Sequence, residues 1–328
     1  MATIKDVARR AGVGVATVSR ALNRTGYVKS GTLEKIEQAM DELGYIPNRQ
    51  ARAMVGGITR TIGVLVPDMD NSLFMRIVQA INDAAYRHDY TLLVMDSRGE
   101  AQREAKIVRA MQELRVDGLI LFGTPGTAQV IESMKPQGPV IILDRLVTHF
   151  AGPQISVNHY DGAKTAVRLL LKHCRYPPAF IAGPAHIWSA QQRLNGYCDA
   201  LRDQDVPAVL ERIEYADFTY QAGYSAMNKL FSRVPDLDGV FAVNDLAALG
   251  AMKAIYERGL GCPDEVHLVG FDDIHAARYV TPSLTTIRQP MESIGRTAVD
   301  ILRKQIRGET VETTPIVLPG ELIFRESC

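Results

Sequence analysis

Apolar residues recur every three to four positions over Ile4–Ala11, Val15–Asn23 and Ser30–Leu43, a period that predicts three short amphipathic helices. In the third, Leu33, Ile36, Met40 and Leu43 share one face, Ser30 can cap the start and Gly44 marks the stop. Only Gly12-Val13-Gly14 separates the first two. A turn that short forces two helices to cross steeply, which is a helix-turn-helix. From Thr61 onward the texture changes. Short, continuously apolar runs at 62–66, 91–95, 118–122, 140–143, 179–182, 240–243 and 267–269 alternate with helical patterns at 75–88, 103–114, 161–171, 191–204, 220–232 and 246–258. Such alternation predicts parallel sheets covered by crossover helices, and the number of runs suits two α/β lobes better than one sheet. Between the two textures, Pro47 and Asn48 open about two turns of helix-forming residues that end at Gly56-Gly57. An isolated helix that short is marginal in water, so the segment is expected to become helical only when something holds it.

Charge sharpens this division. The 328-residue chain is formally neutral, yet residues 1–60 carry ten Lys/Arg against five Asp/Glu, which leaves an acidic remainder. That asymmetry is expected of a nucleic-acid-binding head on an acidic body. The four cysteines, Cys174, Cys198, Cys262 and Cys328, have no C-x-x-C spacing, so neither a disulfide framework nor a metal site is expected. No signal-peptide pattern and no long apolar span is visible, so a cytoplasmic protein is expected. No nucleophile elbow, H-E-x-x-H, P-loop or G-x-G-x-x-G occurs, so the expectation is a binding protein without cofactor rather than an enzyme.

The second helix of a helix-turn-helix lies in the major groove. Here Val18 and Leu22 should face the small core with Val7, Ala8 and Ala11, leaving Val15, Ala16, Thr17, Ser19 and Arg20 for DNA. Arginine can bind guanine O6 and N7 bidentately, and small apolar side chains can touch a thymine methyl. Thr17, Ser19 and Asn23 suit phosphates, which position the protein without specifying sequence.

These segments resemble the lactose/galactose repressor (LacI/GalR) family. Thr3-Ile4-Lys5-Asp6-Val7-Ala8, Ala16-Thr17-Val18-Ser19-Arg20 and Leu43-Gly44-Tyr45-Ile46-Pro47-Asn48 carry the likeness in the head and linker. Val243-Asn244-Asp245, Val269-Gly270-Phe271-Asp272-Asp273 and Leu284-Thr285-Thr286-Ile287 continue it in the body. The resemblance implies a small all-α helix-turn-helix head, residues 1–46, and a hinge helix and linker, 47–60. A two-lobed α/β body like a periplasmic binding protein, 61–328, would bind the effector and dimerise. It implies a repressor that binds a pseudo-palindromic operator as a homodimer, with Thr3, Asn48, Ala51 and Met54 joining the DNA contacts. Met54 stands where relatives carry a leucine that wedges into the central base step. By motif position, Arg193, Asn244 and Asp272 would bind the hydroxyls of a sugar or sugar derivative. Asp144 and Ser189 would assist, and Phe74 and Phe218 would supply walls. Two readings stay open on the residues alone: an activator of the same architecture, and a sugar-binding module without DNA function.

Overall fold

A computed structural model describes residues 2–23, 26–46, 58–124, 126–134, 138–147 and 150–328. Among the described residues the head holds three helices: α1 (Ile4–Ala11), α2 (Val15–Asn23) and α3 (Ser30–Leu43). They close over Val7, Ala8, Val18, Ile36 and Ala39, with Ala11, Leu22, Met40 and Leu43 partly buried against them. Leu33, on the expected face, is 38% exposed, and Ser30 is the first helical residue of α3 rather than its cap. Gly12 makes the turn after α1 in the left-handed region (φ 66°), where its N–H closes onto the carbonyls of Ala8 and Arg9. At the other end of α1, the Asp6 carboxylate takes both the Thr3 N–H (3.0 Å) and the Thr3 hydroxyl (2.7 Å).

The body is two parallel α/β lobes. The first comprises β1 (Thr61–Val66), α4 (Ser72–Tyr86), β2 (Thr91–Asp96), α5 (Ala101–Glu113), β3 (Gly118–Phe122), α6 (Thr127–Met134), β4 (Val140–Leu143) and β5 (Gln154–Val157). The second comprises α7 (His159–His173), β6 (Ala179–Ala182), α8 (Trp188–Arg202), β7 (Ile213–Tyr215), α9 (Tyr220–Arg233), β8 (Gly239–Ala242), α10 (Asp245–Glu257), β9 (His267–Asp272) and β10 (Thr285–Arg288). The chain then returns to the first lobe for α11 (Met291–Ile306) and β11 (Ile316–Leu318) and ends in the second with β12 (Glu321–Ile323).

Among the described residues the sheets run β11-β5-β4-β3-β1-β2 and β12-β10-β9-β8-β6-β7. In the first, Ile62 of β1 pairs with Leu92 on one side and Gly118 on the other, both parallel. The exception is β12, which pairs antiparallel to β10 with Thr286 opposite Ile323. The central strands are buried along nearly their whole length, as helices on both faces require.

Strands β5, β7, β10, β11 and β12 and helices α6 and α11 lie outside the expected set. The edge strands β7, β11 and β12 run three residues each, too short for a periodic signal. Helix α11 buries Met291, Ile294, Ala298, Val299 and Leu302, an apolar stripe at helical spacing that the sequence reading passed over. Helices α9 and α10 approach closely because Gly223 and Gly250 face each other's backbone. A Cβ on Gly250 would run into the Tyr220 carbonyl, and one on Gly223 into that of Ala247.

The lobes are joined by three crossings, at Asn158, at Gln289-Pro290 and at Pro319-Gly320. Two of them touch, since the Asn158 N–H donates to the Leu318 carbonyl (2.8 Å).

Candidate functional site

In parallel α/β sheets, ligands sit beyond the carboxyl ends of the strands, where loops and helix starts converge. Here those ends face one another across a cleft of about 410 Å³. Phe74, Asp144, Ser189, Arg193, Phe218, Asn244 and Asp272 all line it. Asp144 follows β4 with φ 66°, and Asp272 ends β9 with φ 126°. Ser189 and Arg193 lie one turn apart on α8. Phe74, in the first turn of α4, packs edge-on against Phe122 (centroids 5.2 Å apart) and forms an apolar wall with it.

Arg193 is the hub of the floor. It is 3% exposed, and its guanidinium donates to the Val243 carbonyl, stands 3.6 Å from Asp272 Oδ1 and lies 3.2 Å from His159 Nδ1. Its plane covers the Phe271 ring at 3.8 Å from the centroid. On the other side of the imidazole, His159 Nε2 is 3.3 Å from Asp144 Oδ1, at contact distance but without hydrogen-bond geometry. Gln289 Nε2 donates to Asp272 Oδ1 at 2.7 Å. A continuous polar chain thus runs Asp144, His159, Arg193, Asp272, Gln289, from the first lobe through the second to a crossing segment.

Burial raises the Asp272 carboxyl to about 7, against the opposing pull of Arg193. Burial likewise pushes the His159 imidazole below its usual range; Asp144 opposes this and Arg193 adds to it, so the ring is neutral at pH 7. Asn244 is partly committed to the fold: its Oδ1 caps α10 at the Ala247 N–H (3.0 Å) and its Nδ2 holds the Phe218 carbonyl (3.0 Å). One N–H and one lone pair remain for a ligand. Asp273 does not line the cleft. Burial would raise its carboxyl, but hydrogen bonds from Arg325 and Arg288 outweigh that and hold it low.

Sequence reasoning did not nominate Asp68, Asn71, Arg98, His186 or Phe122, which also line the cleft, nor His159 behind it. A lone histidine at a helix start looks like any polar helix residue; only the meeting of α7 with α8 and β4 gives it a role.

In the head, Val18 is buried while Val15, Ala16 and Arg20 are exposed and Thr17 and Ser19 half-buried, so α2 presents an open face. The Thr3 hydroxyl is engaged with Asp6. The Asn23 side chain and residues Asn48, Ala51 and Met54 lie outside the described residues.

A model described as "Bacterial regulatory proteins, lacI family" matches residues 3–48, and one described as "Periplasmic binding protein-like domain" matches 167–328. The ribose operon repressor of Halalkalibacterium halodurans is 34% identical across the whole chain and 97% of its own length. The chain belongs to the lacI family of bacterial regulatory proteins. It is a DNA-binding transcriptional regulator of that family, with a ligand-binding C-terminal region. The repressor PurR of Vibrio vulnificus is 31% identical over 100% of this chain and 98% of its own. The lac repressor dimer bound to operator and the anti-inducer ONPF superposes with a TM-score of 0.88 at 30% identity, covering 99% and 98% of the two chains. These lacI-family relatives share the architecture, while their names point to different regulated systems. Among the described residues no helix is long and apolar enough to cross a membrane.

Proposed function

We propose that this lacI-family protein is a cytoplasmic repressor that binds a pseudo-palindromic operator as a homodimer and is controlled by an uncharged, sugar-like effector in the interlobe cleft. The observation that carries the effector site is the convergence of the seven nominated residues, which arise from both lobes, on one cleft. Carboxylates of Asp144 and Asp272 offer acceptors, Arg193 and Asn244 offer donors, and Phe74, Phe122 and Phe218 offer apolar faces. Vicinal hydroxyls, each both donor and acceptor, need that mixture. Three carboxylates, Asp68, Asp144 and Asp272, line the cleft against two guanidiniums, Arg98 and Arg193, a balance that favours hydroxyl groups over an anion.

The head, 1–46, supplies Val15, Ala16, Thr17, Ser19, Arg20 and Asn23 to the major groove and Thr3 to its edge. The linker, 47–60, folds on the operator with Asn48, Ala51 and Met54 in the minor groove. The body, 61–328, binds effector and dimerises, and performs no catalysis; repressor is the word in the names of the relatives that support this reading.

The test is a thermal-shift screen of pentoses, hexoses, sugar acids, nucleosides and purine bases, repeated on Asp272→Ala. A ligand of the native state raises the melting temperature by mass action. A sugar is expected to stabilise the wild type, and Asp272→Ala to lose that response while keeping operator affinity, since truncating a buried hydrogen-bond partner costs about 1–3 kcal/mol. Stabilisation by a purine alone, or an undiminished response in Asp272→Ala, overturns the assignment.

A further inference from the structure

Behind the effector cleft, at the Gln289-Pro290 crossing, lies a second cavity of about 300 Å³. Three guanidiniums line it: Arg76 from α4 of the first lobe, Arg278 from the turn at His275–Arg278 of the second, and Arg288 at the end of β10. The remaining lining is Gln289, Pro290, Met291, Glu292 and Ser293, the start of α11, where no side chain caps the helix. Uncapped N-terminal N–H groups favour negative charge.

The internal charge balance leaves this cavity positive. Buried Asp273 takes Arg288 Nε at 2.7 Å, Arg278 at 3.3 Å and Arg325 at its other oxygen. Arg76 reaches only the Asp273 carbonyl, at 3.1 Å. Arg288 also meets Glu321 at 3.1 Å, and Glu292 is the carboxylate of the lining itself. Arg76 therefore brings a charge for which no carboxylate partner is found among the described residues.

Gln289 provides an independent sign. It is 2% exposed, its Nε2 is spent on Asp272, and its Oε1 is buried without a partner among the described residues. A buried orphan acceptor calls for a donor.

We propose that this cavity is a second ligand site that takes a phosphate group, clasped between Arg76 of one lobe and Arg278 and Arg288 of the other. Unprotonated phosphate oxygens accept from the guanidiniums and the α11 N-terminus, and a protonated one donates to Gln289 Oε1. A phosphate monoester has its second pKa near 6, so the singly protonated form is present at neutral pH. Because the ligand touches both lobes beside a crossing, its occupation ties them at the hinge. The site is distinct from the effector cleft and does not depend on what the cleft binds.

Calorimetric titration of the full chain with inorganic phosphate, in chloride buffer of constant ionic strength, tests it. One saturable site is expected, weakened about tenfold or more in Arg76→Gln, as loss of a charge-assisted hydrogen bond implies. Ser293→Asp leaves the arginines in place and puts a like charge at the rim, so it should also weaken binding while its thermal melt matches the wild type. Sulfate, which carries no proton for Gln289 at neutral pH, should bind more weakly. Glucose 6-phosphate separates the sources: Arg76-dependent binding tighter than that of inorganic phosphate marks a phosphorylated metabolite, and binding of inorganic phosphate alone marks the free anion. Absence of saturable binding by either probe, or equal affinity in wild type and both variants, overturns the proposal.

Discussion

Arg193→Met removes the cation at the centre of the cleft floor while keeping most of the side-chain volume. The site is 3% exposed, and the guanidinium serves the Val243 carbonyl, His159, Asp272 and the Phe271 face together. Breaking a buried ion pair by removing one partner costs about 3–5 kcal/mol. Part of that cost depends on pH, because Asp272 is pushed to about 7 by burial and held from rising further by Arg193. A carboxyl raised above its unfolded value loses stability for the fold as pH rises from the unfolded pKa to the folded one. In the wild type this loss ends near pH 7; in the variant, with the cation gone, it continues to higher pH at about 1.4 kcal/mol per unit. The penalty is therefore expected to be smaller at about pH 5, where Asp272 is neutral in both proteins, and to reach about 4 kcal/mol at about pH 8.5. Urea unfolding read from Trp188 measures it, since this is the only tryptophan and its ring lies 5.7 Å from His159. A penalty under about 1 kcal/mol at the higher pH, or one equal at both, would refute the reasoning.

Arg20→Ala should cost about 1–3 kcal/mol on the operator and relax preference at one symmetric base pair per half-site, which site selection from a random pool reads directly. Met54→Ala should reduce operator bending in a circular-permutation gel assay and weaken specific binding, leaving salt-driven nonspecific binding nearly unchanged. Gly250→Val should destabilise the second lobe by about 1–3 kcal/mol or more, because its side chain meets the Tyr220 carbonyl. A thermal melt shows this, and an unshifted midpoint would mean that α9 and α10 part freely.

Much of the molecule was legible along the chain because local physics reports itself locally. The helical period of 4–43, the glycines of the tight turn and the apolar strand runs depend on residues a few positions apart, so they can be read without coordinates. The basic head on an acidic body was legible for the same reason, as was Val18 turned inward with Arg20 outward on one helix. The cleft residues were nominated through resemblance of separate motifs, each silent about its neighbours. Tertiary structure alone decided that Asp144 and Arg193, from different lobes, share His159. It also decided that adjacent Asp272 and Asp273 part company, one to the cleft and one to an arginine cluster. Asp272 ends β9 and Asp273 follows it, both at positive φ (126° and 55°), and this sharp backbone turn lets neighbours in sequence serve different sites. The short strands β7, β11 and β12 were likewise beyond sequence reading. Three residues carry too little pattern to announce a strand; they become one only because a sheet edge, assembled from distant parts of the chain, offers them hydrogen-bond partners.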